Sequence, residues 1–127
     1  MTSSIRVGSF TPWGSADFVE SLAPGITSVA TSSHGGIHLD PMRNAMVALV
    51  WRNPNGWYEE DCEASIVLVT FPDVAPEVSR EKLHDSLAWA FTEQHAAVFP
   101  EQAKAREGRP TFDSVMAELQ AKAKQSS

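Results

Sequence analysis

Two short predicted loops about twenty residues apart hold the side chains best suited to chemistry: residues 32–36 (SSHGG) and 57–63 (WYEEDCE). In the first segment His34 is a candidate general acid or base, because histidine changes its charge near neutral pH. The two glycines after it let the backbone turn sharply and let a ligand approach. The alternative is that His34 bonds to the backbone and only shapes the turn.

The acids of the second segment support two hypotheses. In one, a small enzyme uses His34 with Glu59 or Glu60 in acid–base catalysis. In the other, aromatic side chains beside acids form a surface that binds a protein, since such residues are typical of interaction hot spots. The predicted partner-binding residues are Trp57, Tyr58, Glu59, Glu60, Asp61 and Glu63. The alternatives are that the acids are merely solvated and that the aromatic residues close the edge of the core.

Cys62 is a third candidate, as a nucleophile with His34 as its base. However, the carboxylates at Glu60, Asp61 and Glu63 crowd the thiol with negative charge and disfavour the thiolate. Cys62 is therefore interpreted as a small buried residue that begins a strand.

The histidine spacing argues against a metal site. His34 and His38 are separated by glycines that prevent a helix, and on a strand they lie about 13 Å apart. His84 and His95 fall on one face of a predicted helix, but about 16 Å apart along it. A site that combines His34 with Cys62 and an acid remains an alternative. We predict no metal ion and no cofactor.

The charge distribution excludes generic binding to nucleic acid, which requires a basic surface. The 127 residues carry a net charge of −6. Residues 1–100 hold 5 basic and 12 acidic side chains, and residues 101–127 hold 5 basic and 4 acidic ones. A partner is therefore expected to present a basic surface.

Apolar runs and cysteine content indicate a cytoplasmic protein. No apolar run approaches the roughly 20 residues that span a bilayer. The first residues lack the basic and apolar regions of a signal peptide. A single cysteine cannot form an internal disulfide, which suits a reducing compartment.

Five segments in the first half of the chain are candidate strands: residues 5–10, 26–31, 37–39, 47–51 and 64–71. The last of them is expected to be central because it is apolar on both faces. Residues 47–51 either finish the helix that begins at Asp40 and Pro41 or form a strand, and we favour the strand. A short helix capped by Ser15 is predicted to bury Phe18, Val19 and Leu22. Asp40 and Pro41 are typical of a helix start, and residues 53–56 (NPNG) of a turn.

The second half has helical periodicity. Ser79 is predicted to cap a long helix that runs to about Phe99, and residues 102–107 are predicted to add a polar helical piece. Thr111 is predicted to cap a last helix. Its inward residues would be Phe112, Val115, Met116 and Leu119.

Strands followed by helices indicate an α+β fold. We expect an antiparallel or mixed sheet of about four strands, with a long helix and a C-terminal helix packed on one face. Residues 1–127 are predicted to form a single domain, β-rich over 1–75 and helical over 76–120, with a frayed tail at 121–127.

Three segments, in the order 11–14 (TPWG), 31–36 (TSSHGG) and 57–62 (WYEEDC), resemble a family of small domains with no established activity. Its members occur on plasmids, phages and integrative elements of proteobacteria. The resemblance covers roughly residues 8–75 and implies a genomic context in which accessory proteins often counter host defence, as anti-CRISPR or antirestriction inhibitors do.

The hypothesis from the residues and this resemblance together is a non-enzymatic factor of a mobile element. It would bind a host protein or nucleoprotein complex through residues 57–63, without membrane or direct nucleic-acid contact. The rival hypotheses are the small enzyme that uses His34, and a structural or regulatory homodimer formed through the long helix.

Overall fold

The computed structural model describes residues 5–125 and has the predicted α+β fold. The chain divides into two compact units, Met1–Val78 and Ser79–Ser127. The first unit contains all of the described strands, and the second is helical. The division lies close to the predicted change from β-rich to helical sequence. The prediction of a single domain stays a prediction.

The first unit is built on a four-stranded antiparallel sheet with the order β3-β4-β5-β6. A short antiparallel ribbon of β1 and β2 precedes it. The strands are β1 (Phe10–Thr11), β2 (Gly14–Ser15), β3 (Phe18–Ala23), β4 (Ile26–Ala30), β5 (Gly35–Leu39) and β6 (Trp57–Glu59). Consecutive strands are neighbours throughout the sheet, so each is positioned by the one before it in the chain.

The hairpin of β3 and β4 corrects the start of the sequence prediction. Residues 18–22 were predicted as a helix, but they form a strand that pairs with β4 from Phe18 opposite Ala30. Pro24-Gly25 makes a tight reversal in which Gly25 has a φ of +79°. Such a proline–glycine turn joins strands as readily as it ends a helix. Its interpretation as the end of a helix was therefore wrong. The strand predicted over residues 5–10 is also wrong, because only Phe10 belongs to one.

In the connection between β5 and β6 one predicted helix start is confirmed and one predicted strand is absent. Helix α1 (Pro41–Asn44) begins where predicted, and the Asp40 carboxylate accepts a hydrogen bond from the Arg43 amide at 2.8 Å. The strand predicted over residues 47–51 is instead a single 3-10 turn, Leu49–Trp51. The turn at residues 53–56 is present, with Gly56 at a φ of +78°.

Residues 64–71, predicted as the central strand, mostly form helix α2 (Ala64–Thr70). Ile66, Val67 and Val69 are buried there. A short run that is apolar on every side fits a buried helix as well as a buried strand, so its periodicity does not separate the two. A further 3-10 turn, Pro72–Val74, follows.

The core of the first unit is apolar and extensive. Among the described residues it holds twelve of the fourteen buried hydrophobic side chains. Those at most 2% exposed are Ala16, Ile26, Val29, Leu39, Val47, Tyr58, Ile66 and Val67. The sheet and α2 together therefore give the loops of this unit a rigid base.

The second unit contains four helices: α3 (Arg80–Ala90), α4 (Thr92–Val98), α5 (Pro100–Lys104) and α6 (Phe112–Gln125). Ser79 caps α3 as predicted, accepting a hydrogen bond from the Lys82 amide at 3.3 Å. The predicted long helix is broken at Phe91, whose φ and ψ are −130° and 56°. A similar break at Phe99 precedes Pro100, as expected for a residue before proline.

The polar helical piece predicted at 102–107 corresponds only in part to α5, which ends at Lys104. The inward face predicted for α6 is wrong, since none of its described residues is buried and Phe112, Met116 and Leu119 are exposed. Helix α6 continues to Gln125, and residues 126–127 of the predicted frayed tail lie outside the described part of the chain. Within residues 5–125 no helix is long and apolar enough to cross a membrane.

Candidate functional site: an acidic corner beside two tryptophans

The pairing of β5 with β6 brings the two chemically rich segments of the sequence together. Gly36 lies opposite Glu59 in the sheet, and Glu60 donates its backbone amide to the Gly35 carbonyl at 3.0 Å. His34 stands directly before β5, so it lies beside the end of β6. The predicted loop over residues 57–63 therefore begins as a strand.

His34 is held in a tight turn. The Thr31 amide and hydroxyl both donate to the His34 carbonyl, at 2.7 and 2.8 Å, and the His34 amide donates to the Thr31 hydroxyl at 3.1 Å. These bonds use only the backbone of His34. The imidazole ring is exposed, so the turn fixes the position of the residue and leaves its ring available.

The ring of His34 lies among carboxylates. One ring nitrogen of His34 and one oxygen each from Glu59 and Asp61 lie within 4.8 Å of one another. Glu60 is close to the same turn, because its Oε2 lies 2.9 Å from where a Cβ at Gly35 would stand. We call His34, Glu59, Glu60 and Asp61 the acidic corner.

A groove of about 470 Å³ adjoins the acidic corner. Trp13 and Trp57 line it with their rings in an edge-to-face contact, 5.6 Å between centroids, and Glu59 lines it too. Both indoles are half-buried. We call this the tryptophan groove; Glu59 belongs to the groove and to the acidic corner.

Gly36 allows Trp13 to reach this position. A Cβ at Gly36 would collide with the Trp13 ring and with the Tyr58 carbonyl. The absence of a side chain therefore lets the indole lie directly on the sheet. The glycine pair that the sequence suggested as a ligand approach is occupied instead by a part of the protein.

Two of the predicted partner-binding residues have structural roles. Tyr58 is completely buried, and its hydroxyl donates to the Asn44 side chain at 2.6 Å and accepts from the Asn53 amide at 3.0 Å. The Glu63 carboxylate accepts from the Glu59 amide at 3.1 Å and from the Asn53 side chain at 3.0 Å. Tyr58 is thus absent from the surface, and Glu63 serves to fix the end of β6.

His38 packs against Trp57, one of the residues that line the groove. Its ring centroid lies 4.5 Å from that of Trp57, and burial lowers the pKa of His38 although Asp40 opposes the shift. His38 is therefore neutral at pH 7 and supports the indole without adding charge to the site.

The acidic corner is suited to cations. It can receive a lysine or arginine side chain, and His34, Glu59 and Asp61 together offer the nitrogen and oxygen ligands that hold a metal ion such as Zn²⁺. A carboxylate beside an imidazole also favours proton transfer. Cys62 is exposed and precedes helix α2, so its interpretation as a buried residue that begins a strand is wrong. It is not one of the three clustered ligands, so among the described residues the alternative site with His34, Cys62 and an acid does not form.

A second polar cluster lies in the helical unit, where the sequence suggested none. His84 Nδ1 and His95 Nε2 are 3.0 Å apart, although one continuous helix would separate them widely. The break at Phe91 folds α4 back and brings the two rings together. Both histidines are buried, as is Arg106, which pairs with Asp85 at 2.7 Å and Glu81 at 2.8 Å.

Burial lowers the pKa of both histidines, and the Arg106 charge adds to the effect; the pKa of His95 falls to about 4. The Arg106 hydrogen bond lowers the pKa of Asp85. The pair of histidines is therefore neutral at pH 7, and one ring donates to the other. Arg106 is 21 and 25 residues away from Asp85 and Glu81 in the sequence, so their pairing leaves no local signal there.

Comparisons with known proteins assign the chain to a family. Neither a curated protein nor a solved structure matches it. A family model matches residues 6–121, which includes the helical half that lay outside the resemblance seen in the sequence. The chain belongs to the family described as a domain of unknown function (DUF7007).

Proposed function

We propose that the protein is a non-enzymatic binding factor whose acidic corner and tryptophan groove receive a basic side chain of a partner protein. The observation that carries this proposal is the position of Glu59, which is shared by the groove and the corner. An aromatic wall thus leads into a group of carboxylates.

A lysine or arginine side chain fits both parts of this surface. Its apolar stem would lie along the indoles of Trp13 and Trp57, where cation–π attraction adds to the contact. Its charged end would then reach the carboxylates of Glu59 and Asp61. Arginine is favoured over lysine, because its planar group pairs with a carboxylate through two hydrogen bonds.

The charge of the surrounding unit supports the same type of partner. Residues 1–78 contain three basic and nine acidic side chains, whereas residues 79–127 contain seven of each. The whole net charge of the protein therefore resides in the unit that carries the corner. Such a field accelerates encounter with a basic surface at low salt.

The identity of the partner is a finer proposal that rests on the resemblance described above. We infer a mobile-element protein that inhibits a host defence complex, of the anti-CRISPR or antirestriction type. Defence nucleases carry basic nucleic-acid channels, which would offer the arginine and lysine side chains that this site fits.

The test is capture of partners from a proteobacterial lysate, followed by affinity measurement with the purified partner. Three charge reversals, Glu59→Lys, Glu60→Lys and Asp61→Lys, are expected to lower affinity by about a hundredfold, as loss of several close charge pairs does. The matched control reverses Asp17, Glu20 and Glu77, three exposed acids of the same unit. It changes net charge equally and is expected to reduce affinity by only a few-fold.

The two variants separate local contact from general electrostatics. Equal losses in both would show that net charge alone steers the partner and that the corner makes no contact. Undiminished binding of the corner variant would overturn the proposal.

A second candidate is the small enzyme, favoured by the ring nitrogen of His34 within 4.8 Å of the Glu59 carboxylate. In that mechanism Glu59 orients the imidazole, and His34 transfers a proton to or from a bound substrate. His34→Ala would abolish turnover but leave the fold and partner affinity unchanged. Retention of turnover in His34→Ala would eliminate this candidate.

A further inference from the structure

A cavity of about 770 Å³ lies in the helical unit, and every residue that lines it falls between positions 85 and 111. Its volume is in the range of sites that hold small organic molecules. None of the lining residues belongs to the acidic corner or to the tryptophan groove. The cavity is therefore independent of the function proposed above.

The apolar part of the lining leaves room for a flat molecule. Three alanines, Ala88, Ala96 and Ala103, contribute only a methyl group each, and Trp89 adds an indole. The Trp89 ring stands edge-on to Phe112, 6.3 Å between centroids. An aromatic ligand would find small side chains to lie against and an indole to stack on.

His95 gives the cavity a polar group in need of a partner. It is 0% exposed, and among residues 5–125 its Nδ1 has no hydrogen-bond partner. Because Nε2 is engaged with His84, Nδ1 is a donor in one neutral tautomer and an acceptor in the other. Buried polar atoms are normally satisfied, and His95, whose Nδ1 is not, is one of the residues that line the cavity.

The charged groups of the lining favour an anion. Arg106 and Arg109 both pair with Asp85, at 2.7 and 3.3 Å. Lys104 also lines the cavity and has no ion-pair partner among the described residues. Glu107 is the remaining acid of the lining, and Arg106 also pairs with Glu81 outside it, so Lys104 is the basic group of the lining that is left for a ligand.

We propose that this cavity binds a small aromatic anion. The aromatic body lies against Trp89 and the alanines, a polar atom of the ligand meets His95 Nδ1, and the anionic group pairs with Lys104. A ligand of this chemistry fills the apolar space, gives His95 Nδ1 a hydrogen-bond partner and gives Lys104 an ion-pair partner.

The test uses the full chain and two fluorescent probes of nearly the same shape. Anilinonaphthalene sulfonate carries an anionic group, and N-phenylnaphthylamine is its neutral counterpart. We expect the sulfonate to bind at one site and to shift the ring-nitrogen NMR signals of His95. Lys104→Gln is expected to weaken the sulfonate about tenfold and to leave the neutral probe unchanged.

A matched pair of substitutions on α4 locates the binding. Ala96→Phe fills the cavity and is expected to weaken both probes about tenfold. Ala97→Phe is the control, because Ala97 is exposed on the same helix and does not line the cavity. Circular dichroism checks each fold, and Ala103→Phe replaces Ala96→Phe if that variant does not fold.

Three outcomes overturn the proposal. The first is binding that is not confined to the cavity, which would appear as equal loss of binding in the Ala96 and Ala97 variants or as several bound probes per chain. The second is an unchanged affinity of the sulfonate for Lys104→Gln. The third is a homodimer that excludes the probes and dissociates on Ala96→Phe, which would make the cavity an interface between two copies of the chain.

Discussion

The two units place their polar groups in opposite ways. In the first unit an apolar core supports polar groups at the surface, where His34, Glu60 and Asp61 are exposed. In the second unit the polar groups themselves are buried: His84, His95 and Arg106 occupy the interior, and Leu83 and Leu87 are the only buried hydrophobic residues described there. We therefore expect substitutions of the exposed polar groups in the first unit to cost little stability, and substitutions of the buried polar groups in the second unit to cost more.

The largest expected effect is on the small core of the second unit. Leu87→Ala removes a fully buried side chain and should cost about 3 kcal/mol of the free energy of unfolding. Because little other apolar surface supports α3 and α4, hydrogen exchange should show their amides losing protection. Ile26→Ala, an equally buried site, should cost a similar amount and expose β4.

The same two variants test whether the chain unfolds as one domain. Loss of protection confined to the mutated unit would show independent units. Equal loss in both units for either variant would show a single cooperative domain, as the sequence predicted.

The next effect is a pH dependence that belongs to the second unit. The pKa of His95 is lowered from 6.5 to about 4, so between these values the unfolded chain binds a proton that the folded chain does not. Folding stability is therefore lost as the pH falls from about 6.5 toward 4. His84 shifts in the same direction.

Urea unfolding followed at several pH values measures this effect. His95→Gln should flatten the dependence between pH 6.5 and 4. If stability depended on pH in His95→Gln as it does in the unchanged protein, the titration would belong to another group.

A smaller effect is expected from the buried polar contact of the first unit. Tyr58→Phe removes the hydroxyl that bonds Asn44 and Asn53, and leaves the Asn44 side-chain oxygen buried without its donor. We expect a loss of about 2 kcal/mol in chemical denaturation. Trp57→Phe, which removes no hydrogen bond of the tyrosine, provides the comparison. A loss below about 0.5 kcal/mol would show that water replaces the hydroxyl.

The smallest effect on folding is expected at the acidic corner. Asp61→Asn should change the melting temperature little, within about 0.5 kcal/mol, because the side chain is exposed. Clear destabilisation would mean that the corner is structural. The contrast between the two units would then fail, because both would depend on their polar groups for stability.

Local signals explain what the sequence predicted well. The caps at Asp40 and Ser79, the turn before β6 and the β-branched strand β4 each depend on neighbouring residues, and each is present. The fold class follows from the order of these elements. The acids, the tryptophans and His34 were also recognised as the residues of interest.

Long-range pairing explains what the sequence could not predict. His34 meets Glu59 only because β5 and β6 pair in the register that places Gly36 opposite Glu59, and β6 was interpreted as a loop. The meeting of His84 with His95 depends on a helix break at Phe91 for which no proline or glycine gives a local signal. Residues 64–70 were mistaken for a strand because burial on all sides removes the periodicity that distinguishes the two structures.

The exposed thiol of Cys62 has a practical consequence. It is the only cysteine of the chain and directly follows Asp61, so a single maleimide reagent modifies the native protein at one defined place beside the acidic corner. A photo-crosslinker attached there would form a covalent bond with whatever protein docks at that surface. The chain thus carries its own attachment point for trapping a partner, without any engineered residue.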